Sequence, residues 1–232
     1  MVKQHLKAIA APHTWNVDRK KEVFITRPNA GAHTLEAGMS LSTVMRKLIK
    51  IAKSSKEVKL VLRTKQVLVD GTKRNESKLS VGLMDVISIP ELKESYRMLL
   101  DRKGRLTAVK IDEAEAKMKL SRIKSKTKLK GNMIQLNMID GRNIILKKDA
   151  YKTGDVLEIS LPDQKIKNHL PFEKKMRVLM IGGAHSGDHG TIKEITENKI
   201  KYTSRSGETY ETLRKYAFII GKEKPIIRLQ NE

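Results

Sequence analysis

Apolar and polar positions repeat with two different periods along this chain. Leu41, Val44, Met45, Leu48, Ile51 and Ala52 fall within about 120° of arc at helical spacing, and Arg46, Lys47, Lys50 and Lys53 fall opposite them. That pattern predicts an amphipathic helix over 42–53 with one cationic side. Ser54-Ser55-Lys56-Glu57 has the spacing of a capping box and starts a second helix. This helix would turn Val58, Val61 and Leu62 inward and Lys59 and Arg63 outward, while the β-branched content of the segment also permits a strand. The period then shortens to two. Val67-Leu68-Val69 runs into Asp70-Gly71, a pair suited to a two-residue hairpin turn whose central residues both need positive φ. Short strands follow at 79–81 and 84–89, and Pro90 ends them.

The rest of the chain reads mostly as strand. Residues 1–40 show little periodicity and are punctuated by Pro12, Pro28, Gly31 and Gly38. They predict an extended arm with one short strand near 22–26. Residues 91–130 begin with Tyr96–Leu100 and Gly104-Arg105-Leu106, and the capping-box spacing Asp112-x-x-Glu115 then predicts a short helix to about Leu120. From Lys124 every second residue is lysine, so an extended strand would place Lys124, Lys126, Lys128 and Lys130 on one face. Residues 131–172 predict a small barrel or curled sheet, with a turn at Asp140-Gly141. Residues 173–221 predict strands around the loop Gly183-Ala-His185-Ser-Gly187-Asp-His-Gly190 and a turn at Ser206-Gly207.

Charge narrows the function. The 232 residues contain 48 Lys and Arg against 26 Asp and Glu, a formal net charge of +22. The surplus is +3 over 1–40, +7 over 41–90, +8 over 91–172 and +4 over 173–232, so no single tail carries it. Spread charge of this size implies a polyanionic partner touched by every segment, and nucleic acid fits it best. With one Trp, three Phe and five Tyr, recognition through phosphate charge and shape is expected rather than base stacking. The absence of cysteine excludes disulfides, thiolate metal sites and a cysteine nucleophile, and agrees with a reducing interior. No apolar run approaches the roughly 18 residues of a membrane helix, and no signal-peptide core is present. His185 and His189 are four apart but lie in a Gly-rich loop without a third ligand, so no metal is expected. Neither a phosphate-binding Lys-Ser/Thr after Gly187 nor a Gly-x-Ser-x-Gly elbow occurs. No cofactor, catalytic residue or small-molecule substrate is expected.

Three resemblances follow from these residues. The order helix, helix, Asp-Gly hairpin, with Leu41-x-x-Val44-Met45-Arg46-x-Leu48 and Val67-Leu-Val-Asp-Gly71, resembles the RNA-binding module named for ribosomal protein S-four. It implies RNA contacts at Arg46, Lys47, Lys50, Lys53, Lys56, Lys59, Lys73 and Arg74. The glycine spacing at Gly183, Gly187 and Gly190 resembles the KOW motif of small SH3-like β-barrels, with Ser186 where such loops often carry Lys. RNA pseudouridine synthases also begin with the S-four-type module, but they place Asp after Gly-Arg-Leu, and here Thr107 follows Gly104-Arg105-Leu106. The whole chain resembles the small-subunit ribosomal protein family S4e. The segment His5-Leu-Lys7 through Pro12-His-Thr-Trp15-Asn-Val17 is similar to its N-terminal signature, with Ala8 where Arg is usual. Residues 84–89, 136–143 and 218–225 are similar to it as well. The end of the chain soon after Pro225 leads us to expect an archaeal-type member.

The resemblance implies an α+β fold in four parts: a basic N-terminal arm (1–40), an αα-β-hairpin module of S-four type (41–100), a central mainly-β domain (101–172) and a C-terminal SH3-like KOW β-barrel (173–232). It implies a non-enzymatic, cytoplasmic constituent of the ribosome, whose partners are small-subunit ribosomal RNA and neighbouring ribosomal proteins, with no membrane partner. A KOW-containing transcription elongation or RNA-modification accessory factor is the alternative. Expected RNA contacts are Lys3, His5, Lys7, His13, Trp15, Arg19 and Lys20 in the arm, together with the eight module residues above. Lys124, Lys126, Lys128, Lys130 and Arg142 follow in the central part, and Gly183, His185, Gly187 and Gly190 in the C-terminal loop.

Overall fold

A computed structural model of the chain describes residues 5–229. The fold is mixed, mostly β, with three short α-helices among the described residues. Two compact units form. Of the described residues, one holds those up to Leu99 together with Arg105–Lys117, and the other holds Leu100–Gly104 and those from Met118 on. No described helix is long and apolar enough to cross a membrane.

In the first unit the arm is folded onto its own domain. Strands β1 (Leu6–Lys7) and β2 (Phe24–Ile25) pair antiparallel, with Leu6 opposite Ile25 and Lys7 opposite Phe24. Leu6 and Ile25 are buried, as are Ala8 and Ala11. The expected strand at 22–26 therefore exists, shortened to two residues by its equally short partner. Trp15 is 1% exposed, and its indole N–H donates to the carbonyls of Leu35 (3.0 Å) and Gly38 (3.1 Å). A buried indole is stable only with its N–H satisfied, and these two carbonyls supply the partner.

The arm leads into β3 (Gly38–Ser40) and then a helix that begins as α1 (Leu41–Thr43) and continues as a π-turn over Val44–Leu48. The Ser40 hydroxyl accepts the Thr43 N–H and caps it. Leu41, Val44 and Met45 are fully buried. The helix does not reach Lys53. The Ile49 N–H donates to the Val44 carbonyl, Lys50 takes φ +63°, and the Ile51 N–H closes back on the Met45 carbonyl. A residue in the left-handed region is a usual helix stop, and here it is a lysine. The expected line of Arg46, Lys47, Lys50 and Lys53 along one helix is thereby broken at Lys50.

Helix α2 (Ser55–Thr64) begins at the predicted capping box. The Ser54 hydroxyl accepts the Glu57 N–H at 3.2 Å, while the Glu57 carboxylate accepts the Lys53 and Ser54 N–H groups. Val58 and Leu62 are fully buried. Strands β4 (Leu68–Val69) and β5 (Thr72–Lys73) enclose a turn in which Asp70 has φ +51° and Gly71 φ +75°, the backbone demanded of an Asp-Gly hairpin. After β6 (Ser80–Gly82) come β7 (Val86–Ile89), β8 (Glu94–Leu100) and β9 (Leu106–Ile111). These complete a five-stranded sheet of order β5-β4-β7-β8-β9, and β3 pairs separately with β6.

The predicted helix from Asp112 to Leu120 shrinks to one turn, α3 (Glu113–Ala116), with no side-chain cap. The residue that would complete its capping box, Glu115, instead forms a 2.8 Å ion pair with the fully buried Arg97 of β8. Burial holds the Arg97 guanidinium below its ordinary value, and Glu115 and then Asp70 counter that effect only in part.

The second unit contains two five-stranded antiparallel sheets. The first is built from β10 (Met118–Lys128), β11 (Ile134–Met138), β12 (Asn143–Leu146), β13 (Val156–Ser160) and β14 (Ile166–Leu170), in the order β12-β11-β10-β13-β14. Its core is Ile123, Leu136, Met138, Leu157 and Ile159. Strand β14 has apolar residues only at its two ends, too little alternation to announce it in the sequence. Lys119, at the start of β10, is 1% exposed and pairs with the equally buried Asp140 at 2.9 Å.

The second sheet consists of β15 (Arg177–Met180), β16 (His189–Ile195), β17 (Lys199–Ser204), β18 (Thr209–Leu213) and β19 (Ala217–Gly221), in the order β18-β17-β16-β15-β19. The Gly-rich loop joins β15 to β16. Gly187 has φ +88°, and a Cβ built on it would lie 1.7 Å from the Asp101 carbonyl oxygen. Gly207 has the same φ with nothing within 4 Å.

These two glycines give a matched test. Gly207→Ala carries only the left-handed penalty, about 1–2 kcal/mol. Gly187→Ala carries that penalty and must also displace the Asp101 backbone, so its loss in denaturant unfolding should be clearly larger. Equal losses would remove the close-approach role of Gly187.

Candidate nucleic-acid interface

The clearest cationic surface is helix α2. Lys56, Lys59 and Arg63 are spaced at three and seven residues, which puts them within about 60° of arc. All three are exposed, on the side away from Val58 and Leu62. The single acid of this helix is Glu57, and its carboxylate is occupied by the Lys53 and Ser54 N–H groups. Those bonds, the Lys53 bond foremost, hold the Glu57 carboxyl below the usual carboxylate range. Among the described residues, Lys56, Lys59 and Arg63 make no ion pair. Arg63 was read from the sequence only as an outward residue, and the helical period that placed Lys59 outward also puts Arg63 in the stripe.

The hairpin adds Lys73 and Arg74, both exposed. Its turn is held rigidly. The Asp70 carboxylate accepts the Val86 N–H at 2.9 Å, and the Asp70 N–H donates to the Val86 carbonyl at 2.8 Å. The Arg74 N–H donates to the Val67 carbonyl. Lys50 and Lys53 are exposed at the bend between the first helix and α2.

Arg46 and Lys47 have a different role. The Arg46 guanidinium donates to the Lys53 carbonyl, the Ser55 hydroxyl and the Glu22 carboxylate, and Lys47 donates to the same carboxylate. Arg46 thus ties together the end of one helix, the start of the next and the arm. Lys47 first and Arg46 after it hold the Glu22 carboxyl below its ordinary value, against the opposing effect of burial.

The arm residues divide in the same way. His5, Lys7, His13 and Lys20 are exposed. Arg19 is half-buried and donates to the Pro12 carbonyl at 2.9 Å. Trp15 is a correction: it belongs to the core, because its ring is enclosed and its N–H is bonded internally. Lys3 lies outside the described residues. A cleft of about 860 Å³ in this unit is lined by Arg27, Asn29, His33, Leu35 and Lys78, among others.

In the second unit the expected row of four lysines is broken at both ends. Lys124 sits at a bulge between Ile123 and Ser125, which ends the strict alternation there. Lys130 lies in a 3-10 turn, where Gly131 has φ +76° and Asn132 φ +58°. Lys126 and Lys128 keep a common face, and Lys126 is paired with Asp149. Lys124, Lys128 and Lys130 are exposed. Arg142 is half-buried, 3.4 Å from the buried Asp140. Lys147, Lys148, Lys165 and Lys167, not singled out from the sequence, are exposed at the ends of this sheet's strands.

The Gly-rich loop is less open than its composition suggests. Gly183 is exposed with φ +82°. Gly187 and Gly190 are both buried, and a Cβ on Gly190 would strike the Thr203 carbonyl. These two face the protein, which corrects their expected role as RNA contacts. His185 stacks on Tyr210, with ring centroids 4.0 Å apart. Among the described residues no group of three His, Asp or Glu side chains could hold a metal.

Comparison with known proteins adds two family models. One described as Ribosomal family S4e matches residues 92–166, and one described as an RS4NT domain matches residues 2–36. The chain is 43% identical over 240 residues to the small ribosomal subunit protein eS4 of Methanocaldococcus jannaschii, covering 98% of each. It is 43% identical over 235 residues to the eS4 of Methanosphaera stadtmanae, covering 98% of this chain and 96% of the relative. The crystal structure of the 30S ribosomal protein S4e from Thermoplasma acidophilum matches with a TM-score of 0.70 at 33% identity, covering 80% of this chain and 96% of that one.

The Glu22 clamp yields a prediction with a sign. A lowered carboxylate pKa contributes stability that is complete above the ordinary Glu value and is lost as pH falls through the lowered one. Glu22→Gln should therefore flatten the acid limb of a stability-versus-pH curve. It should also release Arg46 and Lys47, steepening the log-log salt dependence of RNA binding by up to about two units. A salt slope identical to that of the unmodified protein would show that the two cations stay engaged without Glu22.

Proposed function

Because the chain belongs to the S4e family of ribosomal proteins, we propose that it is a structural constituent of the small ribosomal subunit. There it binds folded ribosomal RNA through distributed Lys and Arg contacts to phosphate. The observation that carries this reading is the uncompensated stripe Lys56, Lys59 and Arg63 on α2, and the hairpin of the same unit exposes Lys73 and Arg74 as well. Cations without internal partners repel one another unless an anion covers them. Placed on phosphates they displace condensed counterions, and the release of those ions drives binding.

The work required is non-covalent, and the protein's part in translation is architectural rather than catalytic. As a ribosomal constituent it acts in the cytoplasm, with small-subunit ribosomal RNA and neighbouring ribosomal proteins as its partners. We assign RNA contact in the arm to His5, Lys7, His13 and Lys20. In the αα-hairpin segment 41–100, read as the S-four-type module, we assign it to Lys50, Lys53, Lys56, Lys59, Arg63, Lys73 and Arg74. In the central part, 101–172, Lys124, Lys128 and Lys130 take this role. Residues 173–232 are read as the KOW-type barrel, whose exposed Gly183 lets RNA approach the backbone closely. Arg46, Lys47 and Arg19 act one step back, holding the arm and the two helices in register.

The test is a filter-binding titration of the full chain against a transcript of small-subunit ribosomal RNA at several salt concentrations. Reversing Lys56, Lys59 and Arg63 to Glu should weaken binding and lower the magnitude of the log-log salt slope by about two to three units. Because Val58 and Leu62 still pack, the unfolding transition should remain cooperative. An unchanged slope in a folded variant would remove α2 from the interface.

A further inference from the structure

The two-stranded ribbon of the arm has two unlike faces. Leu6 and Ile25, cross-strand partners, are buried. The opposite face carries the other partnered pair, Lys7 and Phe24. His5 precedes Lys7 by two residues, so in extended backbone it projects to the same side. Its ring lies 5.9 Å from that of Phe24, centroid to centroid, with the planes inclined at 57°.

Phe24 is 57% exposed, and it is the one exposed side chain among the nine Trp, Tyr and Phe of the chain. An apolar ring left in water beside two hydrogen-bonding groups calls for a covering partner of mixed character. The apolar side chain of a protein partner would cover the ring but would also desolvate Lys7 without pairing it, which is unfavourable. An unpaired nucleotide satisfies both groups at once, with its base on the ring and its phosphate on the ammonium. The chain's net charge of +22 favours the same occupant.

We propose that Phe24 is a stacking platform for an unpaired nucleobase of RNA, with Lys7 on the adjoining phosphate and His5 bordering the base. The proposal rests on the RNA-binding reading above and adds to it a contact that requires a single-stranded or bulged nucleotide. Phosphate contacts alone make no such requirement.

The full-length chain is titrated with two probes. One is a single-stranded RNA oligomer carrying 2-aminopurine, whose fluorescence is quenched by stacking, and the other is a blunt RNA duplex of equal length. The unmodified protein should bind both and change the 2-aminopurine emission of the single strand. Phe24→Leu keeps the apolar bulk and removes the aromatic face. It should weaken single-strand binding roughly 5- to 100-fold and abolish the emission change, leaving duplex affinity and salt slope as they were. Phe24→Trp should retain the emission change. If Phe24→Leu binds the single strand with full affinity and an unaltered emission change, the platform is refuted and the face is left to a protein neighbour. If the unmodified chain binds neither probe, the RNA-binding reading fails together with the platform.

Discussion

The buried aspartates of this protein, together with Glu57, are committed to its own backbone and interior. Asp70 accepts the Val86 N–H, and Asp85 accepts the Gly82 N–H and bonds His33. Asp155 accepts the Lys152 and Phe172 N–H groups, and Glu57 caps α2. Carboxylates are suited to this work because an ionised acceptor makes stronger hydrogen bonds than a neutral one. The consequence appears at the surface. Among the described residues the buried charged groups are four aspartates and two cations, Arg97 and Lys119, so the outside is more positive than the formal net charge suggests. The surplus is uneven across the surface: Lys126 pairs with Asp149 and Lys201 with Glu194, whereas Lys56, Lys59 and Arg63 on α2 make no ion pair among the described residues.

Rigid presentation matters as much as the charge itself. The cationic stripe on α2 starts from a fully formed capping box, and the Arg46 guanidinium bonds both to the Lys53 carbonyl just before it and to Ser55 in its first turn. The hairpin is locked by the reciprocal Asp70–Val86 bonds. Groups held in place before a ligand arrives lose less conformational entropy on binding. The cations that look buried or engaged, such as Arg46, thereby strengthen the contribution of those that are free.

What could be read in the sequence was local. The Ser54–Glu57 box, the Asp70-Gly71 turn and the inward face of Val58 and Leu62 depend on residues within a few positions of one another, and all three are found. The misreadings concern partners far along the chain. Arg46 meets Glu22 across 24 residues, Trp15 donates to Leu35 across 20, and Glu115 leaves its own helix to pair with Arg97. The lysine row at 124–130 failed for a subtler reason. Period-two spacing places side chains on one face only while the ladder is unbroken, and a bulge at Lys124 leaves no trace in residue type. Of the candidate interface, the exposed lysines of α2 and the hairpin were legible. The removal of Trp15, Gly187 and Gly190 from it needed the tertiary structure, because burial is what reassigns them.

The short segment Leu100–Gly104 starts at the last residue of β8 and leads towards β9, both strands of the first unit's sheet, yet it belongs to the second unit, where the Asp101 carbonyl rests against Gly187. The polypeptide therefore crosses from one unit to the other three times rather than once. A ribosome making this chain releases the segment long before residue 187 emerges, so its seat cannot be completed until late in synthesis. For the same reason no single cut separates the halves cleanly. A fragment ending at Lys117 would carry the loop away from the glycine it was shaped to meet.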